Sequence, residues 1–109
     1  MLSMLSLALM FAASGPVTPI NGVALSLYYE SPEHGMTFDR MVDEIAELGA
    51  SHISVLVQWS QKDTSASVIH PHPKETPSDA TVVRVIQRAR SKGLRVMLFP
   101  ILWVEKRAI

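Results

Sequence analysis

The sequence contains no cysteine in its 109 residues, which removes disulfides and thiolate metal sites from consideration. An excess of charge is absent too. Ten Lys and Arg balance ten Asp and Glu, so no electrostatic argument points to nucleic acid or to an anionic membrane surface. No apolar run reaches the ~20 residues of a stable membrane span. Aromatic residues make up only 6%, so each Trp and Tyr is a position to follow. What remains is about half hydrophobic and evenly charged, the composition of one globular domain.

Lys and Arg are also missing from the N-terminal third, the first being Arg40. Leu2, Met4, Leu5, Leu7, Ala8, Leu9, Met10 and Phe11 form a short apolar segment, followed by Ala12-Ala13-Ser14-Gly15 and Pro16. That is the shape of a signal-peptide h-region with a small-residue cleavage zone, although the positive n-region is lacking. Residues 1–15 are therefore expected to act as a signal peptide, for a secreted or periplasmic protein. A frayed leader, or an apolar helix packed on the domain, is the alternative. Residues 16–21 read as a linker with two prolines and no periodicity.

From Gly22 onward the pattern repeats. Gly22 to Tyr28 predicts a first strand, covered on both faces because its apolar residues do not cleanly alternate. A polar turn with Pro32 and Gly35 follows. Thr37 is the expected N-cap of a helix carrying Phe38, Met41, Val42, Ile45, Ala46 and Leu48 on one stripe, with Asp39, Asp43, Glu44 and Glu47 opposite. Gly49 stops it. Ile53 to Val57 is a second strand, and Gln58 to Glu75 reads as a long polar loop, of the kind that carries function on compact folds.

Thr76-Pro77-Ser78-Asp79 opens a second helix, with Thr76 as expected N-cap and Pro77 at the first helical position. Its basic residues Arg84, Arg88, Arg90 and Lys92 complement the acidic first helix. Gly93 ends it, Leu94 to Phe99 is a third strand, and Pro100, unable to donate to a ladder, is expected to mark that strand's end. The interval from Gly49 to Gly93 equals that from Trp59 to Trp103. Strand, helix, strand, helix, strand implies parallel strands with right-handed crossovers. A doubly wound sheet and a (β/α)₈ barrel both begin so. The first strand-to-helix connection lacks a glycine-rich phosphate fingerprint, which weakens the nucleotide-binding version.

On Gly22-Val23, Asp43-Glu44-Ile45-Ala46-Glu47-Leu48-Gly49-Ala50, Ile53 to Trp59, Thr76 to Asp79 and Gly93 to Pro100, the chain resembles the TIM-barrel glycoside hydrolases of the retaining clan, and most of all the β-mannanase-like group. The resemblance implies an α/β fold: the first three β-strands and two α-helices of a (β/α)₈ TIM barrel, incomplete, over residues 22–109. It implies a parent that hydrolyses glycosidic bonds of an oligosaccharide or polysaccharide with two glutamates, at the ends of barrel strands four and seven. Neither position exists in a chain of three strands, so no catalytic residue is assigned and the chain alone is expected to be inactive. Glu105 is set aside because it lies in a charged tail with no second carboxylate in view.

The remaining expectation is a substrate rim. Barrel sites form at the C-terminal ends of strands, which here carry Tyr28, Gln58, Trp59 and Trp103. Aromatics stack on sugar C–H faces and an amide bonds hydroxyls, so these four are the candidate substrate-binding residues. Packing alone also places aromatics at strand ends. His70 and His72 share the right loop, but without a third ligand they make a poor zinc pattern. No metal and no cofactor is expected. A non-catalytic carbohydrate-binding or structural module, and a fragment of another barrel enzyme, remain open alternatives.

Overall fold

The computed structural model describes residues 19–106. The leader expected over residues 1–15 and the first half of the linker, residues 16–18, lie outside them. Four strands form the sheet: β1 (Gly22–Ser26), β2 (His52–Asp63) and β4 (Arg95–Lys106) are parallel, and the two-residue β3 (Ile69–His70) is antiparallel to β2. β2 is central, with β1 on one side and β4 on the other. Helices α1 (Phe38–Glu47) and α2 (Asp79–Ser91) are the crossovers.

Strand parity decides what faces what. Leu25, Leu27, Ile53, Val55 and Val57 pack against Phe38, Val42 and Ile45 of α1 and Val85 and Ala89 of α2, and together with Leu94 they make the core. These strand residues are all odd-numbered, and the registers Val23↔Ile53 and Ile53↔Val96 carry that face across the sheet. Ser54, Leu56, Gln58 and Ser60 of β2, with Met97, Phe99, Ile101 and Trp103 of β4, point the other way. Among the described residues no helix covers that second face. In a closed barrel it is the face toward the axis.

Both helices end as the sequence predicts. Gly49 and Gly93 have φ of 85° and 82°, and each lies in a Schellman turn. Ala50 N–H donates to Ile45 O and Gly49 N–H to Ala46 O; Leu94 N–H donates to Ala89 O and Gly93 N–H to Arg90 O. Thr37 caps α1 by accepting from Arg40 N–H at 3.2 Å. Glu30 adds a second cap, its Oε1 accepting from Phe38 N–H at 2.8 Å and from Arg84 at 3.0 Å.

Four boundaries differ from the sequence-based expectation. The N-cap of α2 is Ser78, whose hydroxyl accepts from Thr81 N–H. Thr76 is committed elsewhere, donating to Gln58 O at 2.6 Å. β4 does not stop at Pro100 but stays paired with β2 as far as Asp63↔Lys106. Among the described residues β4 is paired on one side only, the setting in which a strand tolerates proline. β2 runs past Val57 to Asp63 for the same reason, since β4 continues beside it. The segment expected to be one long loop contains a hairpin, in which β3 (Ile69–His70) pairs antiparallel with Ser60 and Gln61. An Asx turn at Asp63 and a bond from the Gln61 amide to Ala66 O close it.

Candidate functional site

The C-terminal half of the uncovered face forms the floor of a cavity of about 540 Å³. Parity selects its strand residues apart from Leu102. Gln58 stands opposite Ile101 in the β2–β4 register, Trp103 opposite Ser60, and Glu105 follows on the same face. Tyr28, two residues beyond β1, closes one side, and the loop after β3 contributes His72 and Glu75.

Gln58 is the most constrained member. It is only 7% exposed. Its backbone carbonyl accepts from Thr76, while among the described residues its side-chain amide has no hydrogen-bond partner. Its amide is therefore held in place by a nearly buried residue and keeps its donors and acceptor available to a ligand or water in the cavity. Tyr28 and Trp103 flank it half-exposed, presenting apolar ring surface with a polar tip.

The loop is fixed by its own bonds. Thr76 Oγ1 accepts from His72 N–H at 2.7 Å and donates to Gln58 O, tying the loop to β2. His72 Nδ1 accepts from the backbone N–H groups of Lys74 and Glu75 at 3.2 and 3.1 Å. At the far rim His70 Nε2 lies 3.4 Å from Glu105 Oε1. Glu105 therefore does have a second carboxylate on its cavity, Glu75, which sequence reasoning did not foresee. Among the described residues no group of His, Asp and Glu is arranged to hold a metal ion.

Of the four candidate residues, the structure brings together Tyr28, Gln58 and Trp103. Trp59 is on the opposite face, because neighbouring residues in a strand point to opposite sides. It lies among Ile69, Pro100 and the Asp79–Val83 start of α2. His72, Glu75 and Glu105 were missed. The Pro100 boundary hid Glu105, since continuing the strand would have put Ile101, Trp103 and Glu105 in phase. No local signal marks Glu75, which arrives through the long-range Thr76–Gln58 bond.

The sequence profile of Glycoside Hydrolase Family 113 matches residues 28–108. The chain belongs to that family. Its structure is similar to that of a GH113 beta-1,4-mannanase, with a TM-score of 0.64 at 15% identity, covering 79% of this chain and 28% of the mannanase. A second structure, a complex of a GH113 beta-1,4-mannanase, is similar with a TM-score of 0.65 at 14% identity, covering 82% of this chain and 29% of that one. No curated protein matches in sequence. The chain thus spans less than a third of these mannanases, and at such identities the likeness is one of fold: part of the GH113 TIM barrel.

Proposed function

We infer that this GH113 chain supplies the opening arc of the substrate rim in a glycoside hydrolase acting on mannan. The observation that carries the reading is Gln58, a nearly buried residue whose amide makes no hydrogen bond among the described residues and which lines one cavity with Tyr28 and Trp103. A hexopyranose fits that chemistry. Its C–H faces pack on the rings and its hydroxyls supply what the amide lacks. Family membership makes a polysaccharide the substrate class, and the similar mannanases make β-1,4-mannan the first choice.

In this reading the two glutamates of a retaining mechanism, which act ~5–5.5 Å apart, come from barrel strands four and seven. The three parallel strands described here bind and orient the sugar and do not cleave it. A polymeric substrate outside the cell also accords with export through residues 1–15, checked by N-terminal sequencing of protein recovered outside the cytoplasm.

The test is titration of the chain with mannotriose and cellotriose, followed by Trp emission and by amide chemical shifts. Saturable binding of mannotriose that shifts the Gln58 side-chain amide supports the reading. Shifts confined to residues away from the cavity, or no binding at all, would remove it.

A further inference from the structure

We propose that His72 is a specificity-determining residue of this cavity, a fixed hydrogen-bond donor that acts with Glu75 on one sugar hydroxyl. The inference rests on the sugar-binding reading above. Two backbone N–H groups, of Lys74 and Glu75, point at Nδ1. Nδ1 can then only accept, so the neutral ring carries its proton on Nε2. The loop's own backbone thereby selects the tautomer, before any ligand arrives.

The ring's place is fixed as firmly as its tautomer. His72 N–H donates to Thr76 Oγ1 at 2.7 Å, Thr76 N–H donates back to His72 O at 3.1 Å, and Thr76 Oγ1 donates to Gln58 O at 2.6 Å. This chain of bonds joins His72 to the residue that carries the unpartnered amide. His72 and Glu75 both line the cavity, and the Glu75 N–H bond to the ring holds the two residues in one turn. An imidazole N–H that only donates and a carboxylate that only accepts, lining one cavity, suit a group that does both. A sugar hydroxyl is such a group. It accepts from Nε2–H and donates to the carboxylate, and no deoxy position can replace it.

The experiment has two arms on the intact chain. The long-range ¹H–¹⁵N spectrum of the histidines should show His72 Nδ1 unprotonated and Nε2 protonated, with Nε2 shifting on addition of mannotriose. A protonated Nδ1 would overturn the proposal without any variant. In the second arm, wild type and His72→Phe are titrated with methyl mannoside and its monodeoxy analogues. Deoxygenation at one position should weaken wild-type binding roughly three- to tenfold, and the same deoxygenation should cost His72→Phe measurably less, the remainder being the bond to Glu75, as the coupling in a double-mutant cycle requires of a direct contact. If wild type binds the sugars and no deoxy penalty depends on residue 72, the proposal fails and the sugar site stands. If wild type binds none of the sugars, the site reading fails and takes this proposal with it.

Discussion

Arg88 of α2 holds Asp43 of α1 through two parallel hydrogen bonds, Nε to Oδ1 at 2.8 Å and Nη2 to Oδ2 at 2.6 Å. Lys92 stands 3.7 Å from the same carboxylate, and one turn away Arg84 bridges Glu30 and Asp39. The acidic stripe of α1 and the basic stripe of α2, both visible in the sequence, meet along the crossover layer. Bidentate geometry makes the Arg88 pair the strongest of these contacts.

That pair gives a pH signature. The hydrogen bonds from Arg88, then its charge and that of Lys92, hold the Asp43 carboxyl below its ordinary 3.8. A carboxyl depressed in the folded state stabilises the fold above its unfolded pKa, and the contribution is lost as pH falls through the folded value. Urea unfolding of wild type and Asp43→Asn should therefore differ at pH 7, with the gap closing as the pH falls below the ordinary carboxyl value of 3.8 and through the lowered folded one. A gap that is the same at both ends of that range would show that Asp43 acts through packing instead.

Gly93 tests the helix stop. A Cβ there would meet nothing within 4 Å, but φ is 82°, so its requirement is conformational and not steric. Gly93→Ala should cost about 1–2 kcal/mol, and Gly93→Asn less, because Asn tolerates the left-handed region. Chemical denaturation of the two variants checks the order. Equal stabilities for wild type and Gly93→Ala would contradict it.

Ser60 predicts the opposite sign. It is fully buried between His70 of β3 and Trp103 of β4, and among the described residues its Oγ has no hydrogen-bond partner. Removing an unsatisfied hydroxyl relieves its desolvation cost. Ser60→Ala should leave stability unchanged or raise it by up to about 1 kcal/mol. A loss larger than ~1 kcal/mol in a denaturation midpoint would reveal a partner for that oxygen.

Much of the fold was legible because its signals are local: Gly49 and Gly93, the Thr37 cap, and the apolar stripes of two helices between apolar strands. The site was half legible for a physical reason. Position at a strand end brings Tyr28, Gln58 and Trp103 to one cavity, but Gln58 and Trp59 cannot share a face because adjacent strand residues diverge. Phase could not be carried past Val57 and Pro100 while both were read as strand ends. Pairing between β2 and β4, which are distant in sequence, extends both strands and sets the face on which Glu105 emerges. The move of the α2 cap from Thr76 to Ser78 has the same origin, since the Thr76 hydroxyl is claimed by Gln58 O across the fold.

The central claim is that the sugar-binding face is the one Gln58 and Trp103 share, and not the one that carries Trp59. The direct measurement is mannotriose affinity of Trp103→Ala and Trp59→Ala beside wild type, by titration calorimetry with the fold of each checked by circular dichroism. Loss of a stacking aromatic from a site costs on the order of 1–3 kcal/mol, so Trp103→Ala should bind at least about fivefold more weakly while Trp59→Ala keeps wild-type affinity. Wild-type affinity in Trp103→Ala, with the loss appearing in Trp59→Ala, would place the sugar on the helix-facing side and contradict the account.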